Sequence, residues 1–213
     1  MTVIDERAKH VITENEIRSA QPGDTLRIDD EAIVTPLVQD LIRERGIQIE
    51  RVRKRRAAKK QKIALGADHG GYEMKEQIKS LLTDLGHDFQ DFGTHSNEAV
   101  DYPDYAHLVA RAVATSNCDL GIIVDGAGIG SCMTANKVPG VRAAMCYDEA
   151  SARNSREHNG ANVLTLGGKM ISTDRMREIV RVWLATELTE ERHKRRVDKI
   201  IAIEREYTNS PSK

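Results

Sequence analysis

The sequence is poor in aromatic rings and in cysteine, and each shortage removes a class of function. Two Phe, five Tyr and one Trp among 213 residues are too few rings for a base-stacking binder of single-stranded nucleic acid. Three cysteines, Cys118, Cys132 and Cys146, fall in no CxxC pattern and cannot build a disulfide framework. No apolar run approaches the ~20 residues needed to span a bilayer, and the opening MTVIDERAKHVITENE lacks the apolar core of a secretory signal. The expectation is a soluble, reduced, cytoplasmic protein with no membrane partner. What the chain has is charge, 31% of residues, on a length that accommodates one full α/β domain plus something extra, or two small domains.

The formal net charge of −1 conceals an uneven distribution. Residues 51–62, RVRKRRAAKKQK, carry eight basic side chains and no acidic one. Setting these aside from the 32 in the chain leaves 24 basic residues against 33 acidic. Unpaired Lys and Arg are too costly to bury at that density, so the run reads as a solvated linker. Its other reading, an electrostatic patch for nucleic acid, lacks any recognition motif nearby.

The run divides the chain into residues 1–50, a linker at 51–61 and a main domain at 62–213. In the first segment, residues 13–20 predict a short polar helix, Gln21-Pro22-Gly23-Asp24 a turn and residues 25–28 a strand. Ile33, Val34, Leu37, Val38, Leu41 and Ile42 repeat at helical spacing, predicting a helix over 31–45 with Gly46 as its C-cap, and residues 47–52 alternate as a strand. So small an α+β piece has a marginal core and is expected to dock on another surface.

From Lys62 onward the pattern is regular. Strands are predicted at 62–67, 87–92, 120–124, 141–146 and 162–166, with helices between them and two helices closing the chain. LGIIV at 120–124, a continuous apolar run bounded by Asp119 and Asp125, is what a strand buried on both faces requires. Strands alternating with helices imply an α/β, doubly wound, five-stranded parallel sheet. In such sheets ligands bind beyond the carboxyl ends of the strands. Three segments fall there: Ala67-Asp68-His69-Gly70-Gly71, Asp125-Gly126-Ala127-Gly128-Ile129-Gly130 and Gly167-Gly168-Lys169. The middle one clusters backbone N–H groups before a helix, suiting a phosphate or a developing oxyanion. Its glycines fall G-x-G-x-G on the third strand rather than G-x-G-x-x-G on the first, which disfavours a dinucleotide. Tight-turn packing is the ordinary alternative for such glycines.

The ordered set ADHGG at 67–71, DYPDYA at 101–106, GAGIG at 126–130, ANK at 135–137, SREHN at 155–159 and RHKRR at 192–196 resembles the ribose-5-phosphate isomerase B family, which includes the galactose-6-phosphate isomerase subunits. The resemblance covers about residues 62–208. It implies a flavodoxin-like sheet, aldose–ketose isomerisation of a phosphorylated sugar with neither metal nor nucleotide, and homodimers or homotetramers with sites shared across subunits. Such chemistry needs ring opening, a base that moves a proton between C2 and C1, and donors for the enediolate. By position, the resemblance assigns ring opening to His158 with Asp101 as acidic helper. It gives Asn159 the sugar hydroxyls, and Asp68 and His69 the sugar or phosphate. Arg192 and Arg196, four apart on one helix face, would grip the phosphate. Gly126, Gly128, Gly130 and Ser131 would line the enediolate with N–H groups.

The chain also departs from that family. Many members have Cys-Gly-Thr-Gly where this sequence has Asp125-Gly126-Ala127-Gly128, so a carboxylate replaces the cysteine base and a hydroxyl is missing. Ser131 stands where some members carry a glutamate base, and Lys169 where many carry arginine. Three readings follow: an isomerase with Asp125 as base on ribose 5-phosphate or a related tetrose to hexose phosphate; a sugar-phosphate binder without turnover; or an assembly module carried on the isomerase domain. Residues 11–52 resemble short domains on some bacterial microcompartment-associated enzymes, which implies targeting to a metabolic shell.

Overall fold

A computed structural model describes residues 2–30, 32–52 and 60–208. The chain divides into two compact units, Met1–Ala57 and Ala58–Lys213. Of the basic run, residues 53–59 lie outside the described residues, and with them the linker reading.

The first unit contains β1 (Val3–Asp5), β2 (Val11–Ile12), β3 (Thr25–Asp29), β4 (Ile33–Val34), α1 (Pro36–Arg45) and β5 (Gln48–Val52). Strands β1, β3 and β5 form one parallel sheet, and β2 pairs with β4 in a second. Ile12, Ile17, Leu26, Ile28, Val38 and Ile42 pack as its core. The helix expected over 31–45 starts five residues late, because Pro36 occupies the first turn and residues 33–34 pair as β4. Gly46 closes it in the left-handed conformation at φ 65°.

The helix expected at 13–20 is absent. Residues 14–19 form turns, with i to i+3 bonds from Glu16, Arg18 and Ala20 N–H groups to Thr13, Asn15 and Ile17 carbonyls. The Glu16 carboxylate folds back on Thr13, accepting from its N–H at 2.7 Å and its hydroxyl at 2.6 Å, and pairs with Lys9 at 2.5 Å. Those partners, Lys9 foremost, hold its carboxyl at about 2. The Thr-x-x-Glu motif is a helix start, but Pro22 and Gly23 end the segment before a helix can propagate.

The second unit is a five-stranded, all-parallel sheet in the order β7-β6-β8-β10-β9. Its elements alternate: β6 (Lys62–Ala67), α2 (Tyr72–Asp84), β7 (Asp88–Asp91), α3 (Tyr102–Ala114), β8 (Leu120–Asp125), α4 (Ile129–Ala135), β9 (Ala143–Met145), α5 (Glu149–Glu157) and β10 (Val163–Gly167), then α6 (Thr173–Ala185) and α7 (Glu191–Thr208). Every residue of β8 is buried, as a central strand covered on both faces must be. One face packs Ile78, Leu82, Met176, Ile179 and Trp183 from α2 and α6. The other packs Ala106, Val109, Ala110, Val113 and Ala135 from α3 and α4. The chain leaves β6 toward β7 on one side and returns to β8 on the other. The topological switch point of this doubly wound fold therefore lies between the carboxyl ends of β6 and β8.

Candidate functional site

Asp68 and Asp125 stand at that switch point, one just past the end of β6 and the other the last residue of β8. Both carboxylates are buried, at 7% and 4% exposure, and they are held differently. Asp125 Oδ1 accepts the N–H groups of Ala127, at 2.8 Å, and Gly128, while Oδ2 accepts that of Ser131 at 2.9 Å. The loop of residues 125–131 thus closes on its own first side chain. Gly128 makes this turn at φ 81° and caps α4. The expectation that the Gly128 and Ser131 N–H groups face an enediolate is corrected in this conformation, because Asp125 occupies both. Gly126 and Gly130 donate no such bond to Asp125, and the Tyr102 ring lies against Gly130, 2.5 Å from where a Cβ would stand.

Asp68 Oδ1 accepts the Gly71 N–H at 3.0 Å. Burial is the main force raising its carboxyl above the ordinary aspartate value; the Gly71 bond opposes it and the charge of Asp125 adds to it. A Cβ on Gly70 would lie 3.3 Å from Asp68 Oδ1 and 3.2 Å from Gly126 N, so the two loops touch there. His69 Nδ1 sits 3.2 Å from both the O and the N of Val100, beside Asp101, the exposed N-cap residue of α3. Lys169 is exposed and passes over Gly126, its Cδ 3.8 Å from a Cβ there. Asp68, His69, Asp101, Asp125, Gly126, Gly128, Gly130, Ser131 and Lys169 therefore gather at the carboxyl end of the sheet.

His158, Asn159, Arg192 and Arg196 do not. Helix α5 precedes β10, so its C-cap, His158, faces the amino ends of the strands. Strand β10 alone, at ~3.3 Å per residue, separates the two ends by about 13 Å. Within one chain Asp101 is consequently no helper of His158. His158 has other partners: its Nδ1 lies 2.9 Å from Asn154 Nδ2, while Asn154 Oδ1 accepts from Asn159 at 3.4 Å. That network assigns Nδ1 as acceptor and leaves the ring proton on Nε2. Arg156 secures the turn behind it, donating to Ala161 O at 2.6 Å and Thr186 O at 3.1 Å.

The residue missed in the sequence is His193. Its ring stacks on His158 at 4.1 Å between centroids and 16° between planes. It is 2% exposed, and neither ring nitrogen has a hydrogen-bond partner among the described residues. Burial, then the neighbouring His158 and Arg192, lower its pKa below the usual histidine value. The available signal was its spacing from Val197, four residues on and also buried, which marks the inward face of α7. Arg192 and Arg196 are exposed beside it, and Arg192 pairs with Glu190 at 2.5 Å. At the same end of the sheet a cavity of about 600 Å³ opens between β9 and α7, lined among others by Asn136, Arg142, Asn159, Ile200, Ile203 and Tyr207.

Among the described residues no group of three or more His, Cys, Asp or Glu side chains is placed to hold a metal ion, and no helix is long and apolar enough to cross a membrane. The carboxyl end thus offers paired carboxylates, N–H donors and a lysine; the amino end offers stacked histidines and two exposed arginines.

The family model described as Ribose/Galactose Isomerase matches residues 63–200. The chain is 43% identical over 143 residues to ribose-5-phosphate isomerase B of Escherichia coli, covering 67% of this chain and 96% of that protein. Ribose-5-phosphate isomerase B of Clostridium thermocellum superposes with a TM-score of 0.67 at 49% identity, over 68% of this chain and 99% of that one. The Mycoplasma genitalium enzyme, solved with bound ribulose-5-phosphate, gives 0.65 at 39% identity over 68% and 97%. The chain belongs to the ribose/galactose isomerase family.

Proposed function

We propose that this protein is an aldose–ketose isomerase acting on a phosphorylated sugar, ribose 5-phosphate or a related tetrose to hexose phosphate, with each active site completed by two copies of the chain. The observation that carries the second part is the separation of the two residue clusters to opposite ends of one sheet. A sugar phosphate bridges the halves when the carboxyl end of one protomer faces the amino end of its partner. Arg192 and Arg196 bind the phosphate as remote anchors that position the reacting carbons. His158, with its proton on Nε2, donates to the ring oxygen as the sugar opens, and Asn159 holds hydroxyls. One carboxylate of the Asp68–Asp125 pair then moves the proton between C2 and C1. The N–H groups of Gly126 and Gly130, with Lys169, face the enediolate oxygens. Removal of residues 1–50, read as a docking or targeting module, is expected to change where the protein assembles and to leave kcat in place.

The test is a panel of tetrose, pentose and hexose phosphates in deuterated solvent. Isomerisation with wash-in of deuterium at C2 supports the reading. Tight binding of the same panel without exchange would instead identify a sugar-phosphate sensor.

A further inference from the structure

We propose that Asp68, rather than Asp125, is the base that carries the proton between C2 and C1, and that Asp125 serves as an internal anion holding the 125–131 loop in shape. This inference rests on the isomerase reading above.

The two carboxylates sit side by side, and their hydrogen bonds separate their roles. Both oxygens of Asp125 are committed to loop N–H groups, three bonds in all. A carboxylate so held has three of its four lone-pair positions directed into the backbone, and turning it toward a substrate C–H would open the turn that starts α4. Asp68 is held more lightly, by the Gly71 N–H on Oδ1 at 3.0 Å with a weaker contribution from the Gly70 N–H. Its turn touches the loop at Gly126, whose N–H Asp125 does not use. Asp68 therefore stands where a C–H and an N–H donor can be reached together.

The groups around Asp68 also suit it to the work. Burial and the charge of Asp125 raise its affinity for a proton, with the Gly71 and Gly70 N–H groups and His69 acting against them. A base is most effective with a pKa near the working pH, and two adjacent carboxylates in a dry site drive one partner upward. Asp125 thus tunes Asp68 while fixing the loop.

The step balances without a co-reactant. Asp68 takes the C2 proton of the open-chain aldose, and the C–H electron pair becomes the C1–C2 double bond. The carbonyl pair moves to O1, which gains a proton as O2 loses one, and the Asp68 carboxylic acid returns its proton to C1. C2 is oxidised and C1 reduced within one molecule.

The experiment compares wild type, Asp68→Asn and Asp125→Asn on ribose 5-phosphate, or on whichever aldose phosphate of the panel is turned over, across pH. Asp68→Asn is expected to lower kcat by about 10²–10⁴, with KM little changed and the acidic limb of the kcat profile gone. Asp125→Asn is expected to keep that limb and shift it to lower pH, because a negative charge beside Asp68 has been removed. An Asp68→Asn protein with kcat within tenfold of wild type overturns the assignment, as does loss of the limb in Asp125→Asn alone. A wild type inert toward the whole panel refutes the isomerase reading itself. Should Asp68→Asn lose native Trp183 emission, the wild type answers alone. An epoxide analogue of the sugar phosphate is attacked by the base oxygen, its C–O ring bond breaks, and the alkoxide takes a proton from water. An ester mapped to Asp68 supports the inference, and one mapped to Asp125 overturns it.

Discussion

Replacing Gly128 with alanine tests whether the 125–131 loop is as rigidly specified as its contacts imply. Gly128 has φ 81°, and a Cβ there would stand 2.9 Å from the Leu166 carbonyl carbon and 3.0 Å from Gly167 N. A left-handed conformation costs an L-residue about 1–2 kcal/mol, and overlap with backbone that cannot rotate away adds about 1–3 kcal/mol. The expected destabilisation is therefore about 2–5 kcal/mol. At ~1–3 kcal/mol per molar urea, this lowers the unfolding midpoint of the second unit by about 0.7–5 M. Trp183, the single tryptophan of the chain, is buried in α6, so its emission reports this unit alone. Gly130→Ala is the internal control. Its Cβ would meet the end of the Tyr102 side chain, which is 39% exposed and able to swing aside, and alanine gains helix propensity. A cost under ~1 kcal/mol is expected there. Equal midpoints for Gly128→Ala and wild type would refute the reasoning.

Two further perturbations follow from buried charge. His193 binds a proton less readily folded than unfolded, so its contribution is intact above about pH 6.5 and is lost as pH falls below it; unfolding temperatures from pH 7.5 to 5.5 should fall less steeply in His193→Phe than in wild type, with His87, also lowered by burial, common to both. Lys75 is fully buried and pairs with Asp91 at 2.5 Å and Glu76 at 2.9 Å. Lys75→Met leaves Asp91 with Lys79 at 2.5 Å, so the loss at pH 7 should be about 1–3 kcal/mol rather than that of an unpaired buried charge. Burial would raise Asp91, but Lys75 and Lys79 prevail and lower it; stability from this pair is therefore present above about pH 4 and lost as pH falls below it, and urea midpoints at about pH 7 and about pH 2.5 should differ less in the variant than in wild type.

Periodicity made the second unit legible because its strands are buried on both faces. The continuous run at 120–124 became β8, extended by one residue to Asp125. Residues 62–67 became β6 with the expected bounds. The first unit was harder, since Ile33 and Val34 fit a helical repeat but are taken by pairing with Val11 and Ile12, a contact that no local pattern encodes. The site shows the same division. The motifs singled out Asp125 and His158, yet which end of the sheet each occupies depends on element order. That Asp125 spends its hydrogen bonds on its own loop is a matter of three N–H directions. Burial of His193 arises from packing of α7 and not from its basic surroundings.

Complementation between two inactive variants tests the two-copy site most directly. Asp68→Asn removes a carboxyl-end group and His158→Ala an amino-end group, so each homodimer has both sites damaged. In the mixed dimer one site collects both lesions and the other collects neither. Co-refolding the two at equal concentration makes about half the dimers mixed, and about one quarter of wild-type isomerase activity should return. Activity no higher than the mean of the two separate variants would contradict a site built from both ends of two sheets.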